Sequence, residues 1–187
     1  YYLAKSLGKW NLKGFIDDQV INPLDFKIDI PWLGTINEWI PSENEVFVLG
    51  IASPKAKEKV VGILKSKGAR FETMIAPTAY VNETSVLGEG CIVGGRAWIG
   101  DCCKIGDFVN IAGSSVGQNV EIGDYTTTTV HTNIPGGKVG KRVFIGSVAV
   151  ILAPVLDDAY VCAGSIVISK VKAGTKVFGN PAKRIDF

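Results

Sequence analysis

Aliphatic residues fall on a strict period of six through the middle of the chain, at Val81, Leu87, Val93, Ile99, Ile105 and Ile111. After a one-residue slip the beat resumes at Val116 and Ile122, skips Thr128 and returns at Ile134. A second slip leads to Val139, Ile145 and Ile151. Glycine directly follows many of these residues, at Gly88, Gly94, Gly100, Gly106, Gly117, Gly123, Gly140 and Gly146. Helices repeat at 3.6 and alternating strands at 2, and neither asks for glycine at every sixth position. Hexapeptide repeats that build a parallel β-helix do, each supplying a short strand and a turn with the aliphatic stacked inside. The glycine after each aliphatic is expected at a crowded or left-handed backbone position, where lacking a Cβ is an advantage. The alternative, a glycine-rich β-sandwich with accidental spacing, does not account for glycines in register with consecutive aliphatics.

Residues 1–76 follow a different grammar. Tyr1 to Leu7 reads as the tail of a helix, so a strand is expected upstream of Tyr1. Lys13-Gly14-Phe15-Ile16 is a short apolar strand ending in the acidic pair Asp17-Asp18, followed by a loop rich in proline and asparagine. Pro31 to Thr35 is a second apolar stretch, and Ile36 to Ile40 fits one or two helical turns. The unbroken apolar run Glu45 to Ile51 predicts a strand covered on both faces. Ser53 and Pro54 then open a helix with Ala56, Val60, Ile63 and Leu64 on one face, stopped by Gly68. Phe71 to Ile75 reads as another strand, and strand, helix, strand at this spacing is a βαβ unit. Residues 77–187 form the second domain: a solenoid to about Ile168, then a tail. Tyr125 to Lys138 breaks the beat with five threonines, four of them in a run, the single histidine His131 and Pro135-Gly136-Gly137, which predicts a loop on the outside of the solenoid. The threonine run itself reads as β-branched strand filler, and His131 as either a solvated residue or a functional one.

Composition narrows the function classes. Net charge is +2 with charges spread along the chain, and no basic cluster interleaves with aromatics, so nucleic acid is not an expected partner. No apolar run is long enough for a membrane span and no signal peptide is visible, which predicts a cytoplasmic protein. Cys91, Cys102, Cys103 and Cys162 lack metal-ligand spacing, so no metal is expected and all four read as reduced, small apolar fillers.

The tail, from Ala163-Gly164-Ser165-Ile166-Val167 through Val177-Phe178-Gly179-Asn180-Pro181-Ala182-Lys183-Arg184-Ile185, resembles the ending of hexapeptide-repeat acyltransferases. With Gly14-Phe15-Ile16-Asp17-Asp18 and Trp32-Leu33-Gly34, the whole chain resembles bacterial sugar acyltransferases of the sialic acid O-acetyltransferase and UDP-4-amino-sugar N-acetyltransferase type. That resemblance implies a Rossmann-like first domain that binds a nucleotide-sugar, with Asp17 and Asp18 at the nucleoside. The other reading of the acidic pair is a strand end in a solvated turn. The resemblance further implies a left-handed β-helix, a homotrimer, and acetyl-CoA as acyl donor in the groove between neighbouring helices. The matching positions are Gly146, Ser147, Ala163, Gly164, Asn180, Pro181 and Lys183; their other reading is that they turn corners and dock the tail. The implied activity is acetyl transfer to an amino or hydroxyl group of a nucleotide-linked or activated sugar in surface glycan synthesis.

The chain departs from the family at its general base, a histidine just before an Ile-Gly-Asp step, followed by an acidic partner. In Val116-Gly117-Gln118-Asn119-Val120-Glu121-Ile122-Gly123-Asp124, Gln118 stands at the histidine position and Asn119 at the acidic one. Glutamine cannot accept a proton near neutral pH. Three routes remain open: His131 supplies the base, from a different face of the coil; a neutral amine attacks by proximity alone, which favours an amino-sugar acceptor; or the protein is a non-catalytic trimeric binder of nucleotide-sugar or CoA.

Overall fold

The computed structural model describes residues 1–19 and 22–186. Val20 and Ile21, in the expected proline- and asparagine-rich loop, and Phe187 at the tail lie outside the described residues.

From Met74 onward the chain winds as a parallel β-helix of two-residue strands joined by short corners. Three stacks of strands form its faces. The first face carries Tyr80–Val81, Trp98–Ile99, Ser115–Val116, Asn133–Ile134, Val150–Ile151 and Ile166–Val167. The second carries Val86–Leu87, Lys104–Ile105, Glu121–Ile122 and Lys138–Val139, continued by bridges at Val155 and Val171. The third runs from Met74–Ile75 through Ile92–Val93, Asn110–Ile111, Thr127–Thr128, Phe144–Ile145 and Tyr160–Val161 to Lys176–Gly179, where Ala182–Arg184 turns back antiparallel.

The six-residue beat is the inward residue of each strand. Val93, Ile99, Ile111, Val116, Ile122, Ile134, Ile145 and Ile151 are buried, and each pairs with its equivalent on the next coil, as in Ile99↔Val116↔Ile134. Fully burying such a side chain contributes roughly 1.5–3 kcal/mol, so stacking supplies the fold's main driving force.

Of the two reasons foreseen for the glycines, crowding holds. A Cβ on Gly123 would lie 2.7 Å from Gly140 C and Lys141 N, backbone atoms of the coil above. The left-handed residue comes two positions later and is mostly not glycine: Cys102, Phe108, Asn119, Tyr125, His131, Arg142, Val148 and Asp158 have φ between 54° and 62°. At each of these sites examined in sequence, the N–H is aimed at the coil below, as in Asn119 N to Asp101 O (2.9 Å), His131 N to Gly113 O (3.1 Å) and Arg142 N to Asp124 O (2.8 Å). Those bonds offset the steric cost of about 1–2 kcal/mol that the left-handed region imposes on a residue with a Cβ.

The stretch Tyr125 to Lys138 is not the outer loop that its composition predicts. It continues the coil with strands Thr127–Thr128, Asn133–Ile134 and Lys138–Val139. Thr128 takes the inward place of an aliphatic and satisfies its hydroxyl on Ser114 Oγ at 2.9 Å, while Thr126 Oγ1 donates to Gly140 O at 2.8 Å. β-Branched shape fits the strand, and internal hydrogen bonds remove the penalty for burying the hydroxyl. The cysteines divide as well. Cys91 and Cys103 are buried fillers, whereas Cys102 is exposed on a left-handed corner, so it is not an apolar filler.

The N-terminal unit is assembled from pieces. Helix α1 (Tyr2–Leu7) precedes the parallel pair Phe15–Ile16 and Trp32–Gly34, and a bridge joins Phe47 in parallel to Phe71 around helix α2 (Pro54–Ser66). The expected strand over Glu45 to Ile51 is reduced to that bridge, with Val46 and Val48 38% and 37% exposed, because a neighbouring strand lies on one side of it alone. Strand Met74–Ile75, in turn, pairs with Ile92–Val93 and forms the solenoid's first rung. Ser53 caps α2, with Pro54 at its first position.

The buried face of α2 is Pro54, Lys57, Val61 and Leu64. It packs on the corner between the second and third faces, where Phe71, Phe108 and Tyr125 contact edge-to-face (5.0 Å) and stacked (5.4 Å). Lys57 is fully buried there, and its Nζ donates to Phe108 O (2.8 Å) and Thr126 O (3.1 Å). Burial pushes its pKa down to about 7 from 10.5. Between those values the unfolded chain binds the proton that the folded one has lost, so stability rises with pH across that window. Urea denaturation is expected to show the wild type gaining on the order of 1 kcal/mol per pH unit between pH 7 and 9 relative to Lys57→Met. Parallel curves for the two proteins contradict the assignment.

Candidate functional site

The corner between the third and first faces carries a vertical column of candidate residues. His131 sits on one coil, Gly146 and Ser147 on the next, Ala163 and Gly164 above them, and Gly179, Asn180 and Pro181 at the top. Backbone and side-chain bonds link the levels: Val148 N to Val130 O (3.1 Å), Ser147 Oγ to Thr129 Oγ1 (3.1 Å), Gly164 N to Ser147 O (2.8 Å) and Gly179 N to Ser165 Oγ (3.3 Å). Residues distant in sequence thus share one edge because the coil repeats.

The two glycines in that column differ in what they do. A Cβ on Gly146 would collide with the backbone of Ala163, so its absence serves coil stacking. A Cβ on Gly164 would meet nothing within 4 Å, and both Ala163 and Gly164 are exposed. Backbone is therefore open to a ligand at the upper level. Lys183 is exposed on the terminal hairpin, opposite Phe178, and its neighbour Arg184 pairs with Asp186 at 2.9 Å.

Gln118 and Asn119 lie on a different corner, between the first and second faces. Both are exposed; Gln118 Nε2 reaches Asp101 Oδ2 at 3.5 Å, a weak contact that leaves the amide available. Within one copy of the chain, Gln118 and His131 are separated by the first face and do not meet. His131 is exposed, with a φ of 59°.

In the N-terminal unit, Asp17 and Asp18 stand at the end of strand Phe15–Ile16. Asp17 Oδ1 accepts from Gln19 N at 2.8 Å and Asp18 Oδ1 from Ile36 N at 3.0 Å. Asp17 N also donates to Gly34 O, which sets the pair beside a cleft of about 310 Å³ lined by Leu33, Gly34, Thr35, Glu38, Trp39 and Ile40.

Two residues missed in the sequence complete the inventory. Asn110 and Thr127 pair in register on the outward side of the third face, under the segment Ile51 to Ser53. Asn110 Nδ2 donates to Ile51 O at 3.1 Å, but Asn110 Oδ1 and Thr127 Oγ1 are buried with no hydrogen-bond partner. A buried polar atom left unpaired costs about 1–3 kcal/mol. The signal lay one position before the beat: the outward column Met74, Ile92, Asn110, Thr127, Phe144, Tyr160 is apolar or aromatic except at these two.

No family model matches the chain, and no curated protein matches it. Solved structures do. The acetyltransferase domain of PglB from Neisseria gonorrhoeae superposes with a TM-score of 0.90 at 20% identity, over 98% of this chain and 92% of that one. WeeI from Acinetobacter baumannii gives 0.85 at 24%, over 98% and 91%. PerB from Caulobacter crescentus, solved with CoA and GDP-perosamine, gives 0.82 at 23%, over 92% and 84%. Both the N-terminal unit and the solenoid take part in the first two superpositions, so the chain shares their fold almost end to end.

Since the Thr127 hydroxyl has no partner, Thr127→Val is expected to raise stability by about 1 kcal/mol, seen as a thermal midpoint roughly 2–4 °C higher. A lower midpoint means that the hydroxyl is paired.

Proposed function

We propose that this protein transfers an acetyl group from acetyl-CoA to an amino group of a nucleotide-linked sugar. The single observation that carries the reading is the near end-to-end match of both units to the PglB acetyltransferase domain, which is also solved with acetyl coenzyme A. PerB holds CoA together with GDP-perosamine, which supports a nucleotide-sugar acceptor.

In this reading the N-terminal unit, Rossmann-like over 1–76, holds the nucleotide at Asp17, Asp18 and the adjoining cleft. The solenoid, 77–187, winds left-handed and assembles as a homotrimer in the cytoplasm. No helix among the described residues is long and apolar enough to cross a membrane. Support for self-assembly comes from the first face and its edges, where Tyr80 and Trp98 stack at 6.1 Å and Val130, Val148, Leu152 and Ile168 are exposed.

Open backbone at Ala163 and Gly164 accommodates the pantetheine arm, with Ser147 below and Asn180, Pro181 and Lys183 above. Gly146 holds the coils together there. Gln118 and Asn119 cannot serve as base and partner, but their amides can hold the acceptor by hydrogen bonds. A neutral amine needs no deprotonation before attack, so positioning supplies most of the rate: the amine nitrogen bonds to the thioester carbonyl carbon, the C–S bond breaks, and the proton shed by the amine ends on the departing CoA thiolate, directly, through solvent or by way of His131 of a second copy. The transfer serves surface glycan synthesis.

Mass spectrometry of acetyl transfer to nucleotide-linked 4-amino sugars tests the reading. Product is expected with the wild type, while CoA binding without product favours a non-catalytic binder. Gln118→His is expected to raise kcat about 10²-fold by restoring a general base at that corner. His131→Ala leaving kcat unchanged eliminates His131 as the proton acceptor.

A further inference from the structure

We infer that Lys57 is a positioning residue that fixes the acceptor side of the proposed site, tying the nucleotide-holding unit to the rungs that carry Asn110 and Thr127. The inference rests on the proposed function for its kinetic part and on geometry alone for its structural part.

Among the described residues Lys57 is the one charged side chain that is fully buried. No carboxylate bonds it; its two partners are the carbonyls of Phe108 and Thr126. A buried amine, charged or neutral, costs more than an apolar side chain of equal volume, even when hydrogen-bonded. Adhesion of α2 does not require it. The ring contacts of Phe71, Phe108 and Tyr125 hold the joint from inside, and Arg142 bonded to Glu58 (3.2 Å) and Asp158 (2.8 Å) holds it from the rim, with Lys65 paired to Glu89. What the amine adds is direction.

That direction closes a ring of bonds. Thr126 O accepts from Lys57 Nζ and also from Asn110 N at 3.0 Å. The Asn110 side chain donates to Ile51 O at 3.1 Å, and Ile51 leads through Ser53 back into α2 and Lys57. One circuit therefore runs from α2 through Lys57, Thr126 and Asn110 to the segment that precedes α2. Asn110 Oδ1 and Thr127 Oγ1, the two unpartnered buried atoms, sit on it. Removing the amine opens the circuit at one link, and the Asn110 amide loses its fixed setting while the joint stays packed.

Hydrogen exchange of the full chain tests the structural part without substrate. Lys57→Met is expected to speed amide exchange over residues 50–58 at least tenfold, and Lys57→Arg, which keeps two donors in reach, to recover most of the protection. Equal exchange in wild type and Lys57→Met, or no recovery in Lys57→Arg, overturns the inference. Steady-state kinetics test the rest: Lys57→Met is expected to raise KM for the nucleotide-sugar about tenfold, with KM for acetyl-CoA within twofold. Arg142→Met, which weakens the rim, is expected to lower the thermal midpoint without that split. Because Lys57 acts through Asn110, the double variant with Asn110→Ser should be no worse than Asn110→Ser alone, and additive losses overturn the assignment. If the wild type transfers no acetyl group, the proposed function fails and the exchange result alone decides on Lys57.

Discussion

The whole structure depends on coil-to-coil hydrogen bonding at the corners. A triangular coil must turn sharply after every two-residue strand, and at most of its corners it does so with one residue in the left-handed region. That conformation is unfavourable for side chains such as Val148 or Phe108, yet it is what points the corner N–H at the coil beneath, as Val148 N does toward Val130 O. Once one coil satisfies the next, the position of every later residue is fixed by its place in the repeat. The aliphatics then stack because the corners hold register, and their burial repays the backbone strain several times over.

Repetition of this kind turns sequence into columns. Ser147 and Gly164 share an edge, Asn119 and Asp101 share another, and Asn110 and Thr127 share a face, each pair made adjacent by one turn of coil. The same rule keeps residues apart. Gln118 and His131 are near in sequence but occupy two corners, and no local rearrangement brings them together without breaking the register of Asn133–Ile134. A chemistry that uses both must draw one of them from a second copy; a chemistry confined to one copy must use one and dispense with the other.

How much of this was legible in the sequence follows from which interactions repeat. The inward aliphatics and the crowded glycines recur, so the solenoid and the corner placement of Gln118 could be read by counting. Thr128 could not, because a threonine satisfied by Ser114 inside a coil has the same composition as one in a loop. Gly146 is ambiguous in sequence for a related reason, since a glycine that clears the next coil and one that clears a ligand look alike until the neighbouring backbone is in place. Lys57 was hidden more deeply. In sequence it is one lysine among several in α2, and the helix's periodicity favours Val60 and Ile63 for the core. Only docking on the Phe108 corner turns the helix so that Lys57 faces inward, a contact between residues far apart in the chain. Non-repeating long-range contacts of that sort leave no periodic trace.

The joint between the units is therefore where a repeat protein needs its few specific interactions. The solenoid is stiff along its length, and the N-terminal unit holds its ligand cleft on short, separate strand pairs. In the proposed function a nucleotide held at Asp17 and Asp18 has its sugar at a distant edge, so any rocking of α2 would be magnified at the reacting atom, where a displacement of about 1 Å can cost 10²-fold in rate. Greasy contacts alone resist separation of the units but allow small rotations, since dispersion and burial are non-directional. An amine bonded to two carbonyls on successive rungs is directional, and burial makes each of those bonds stronger than it is at the surface. The cost of hiding one polar group thus supports a fixed distance between the N-terminal unit and the solenoid.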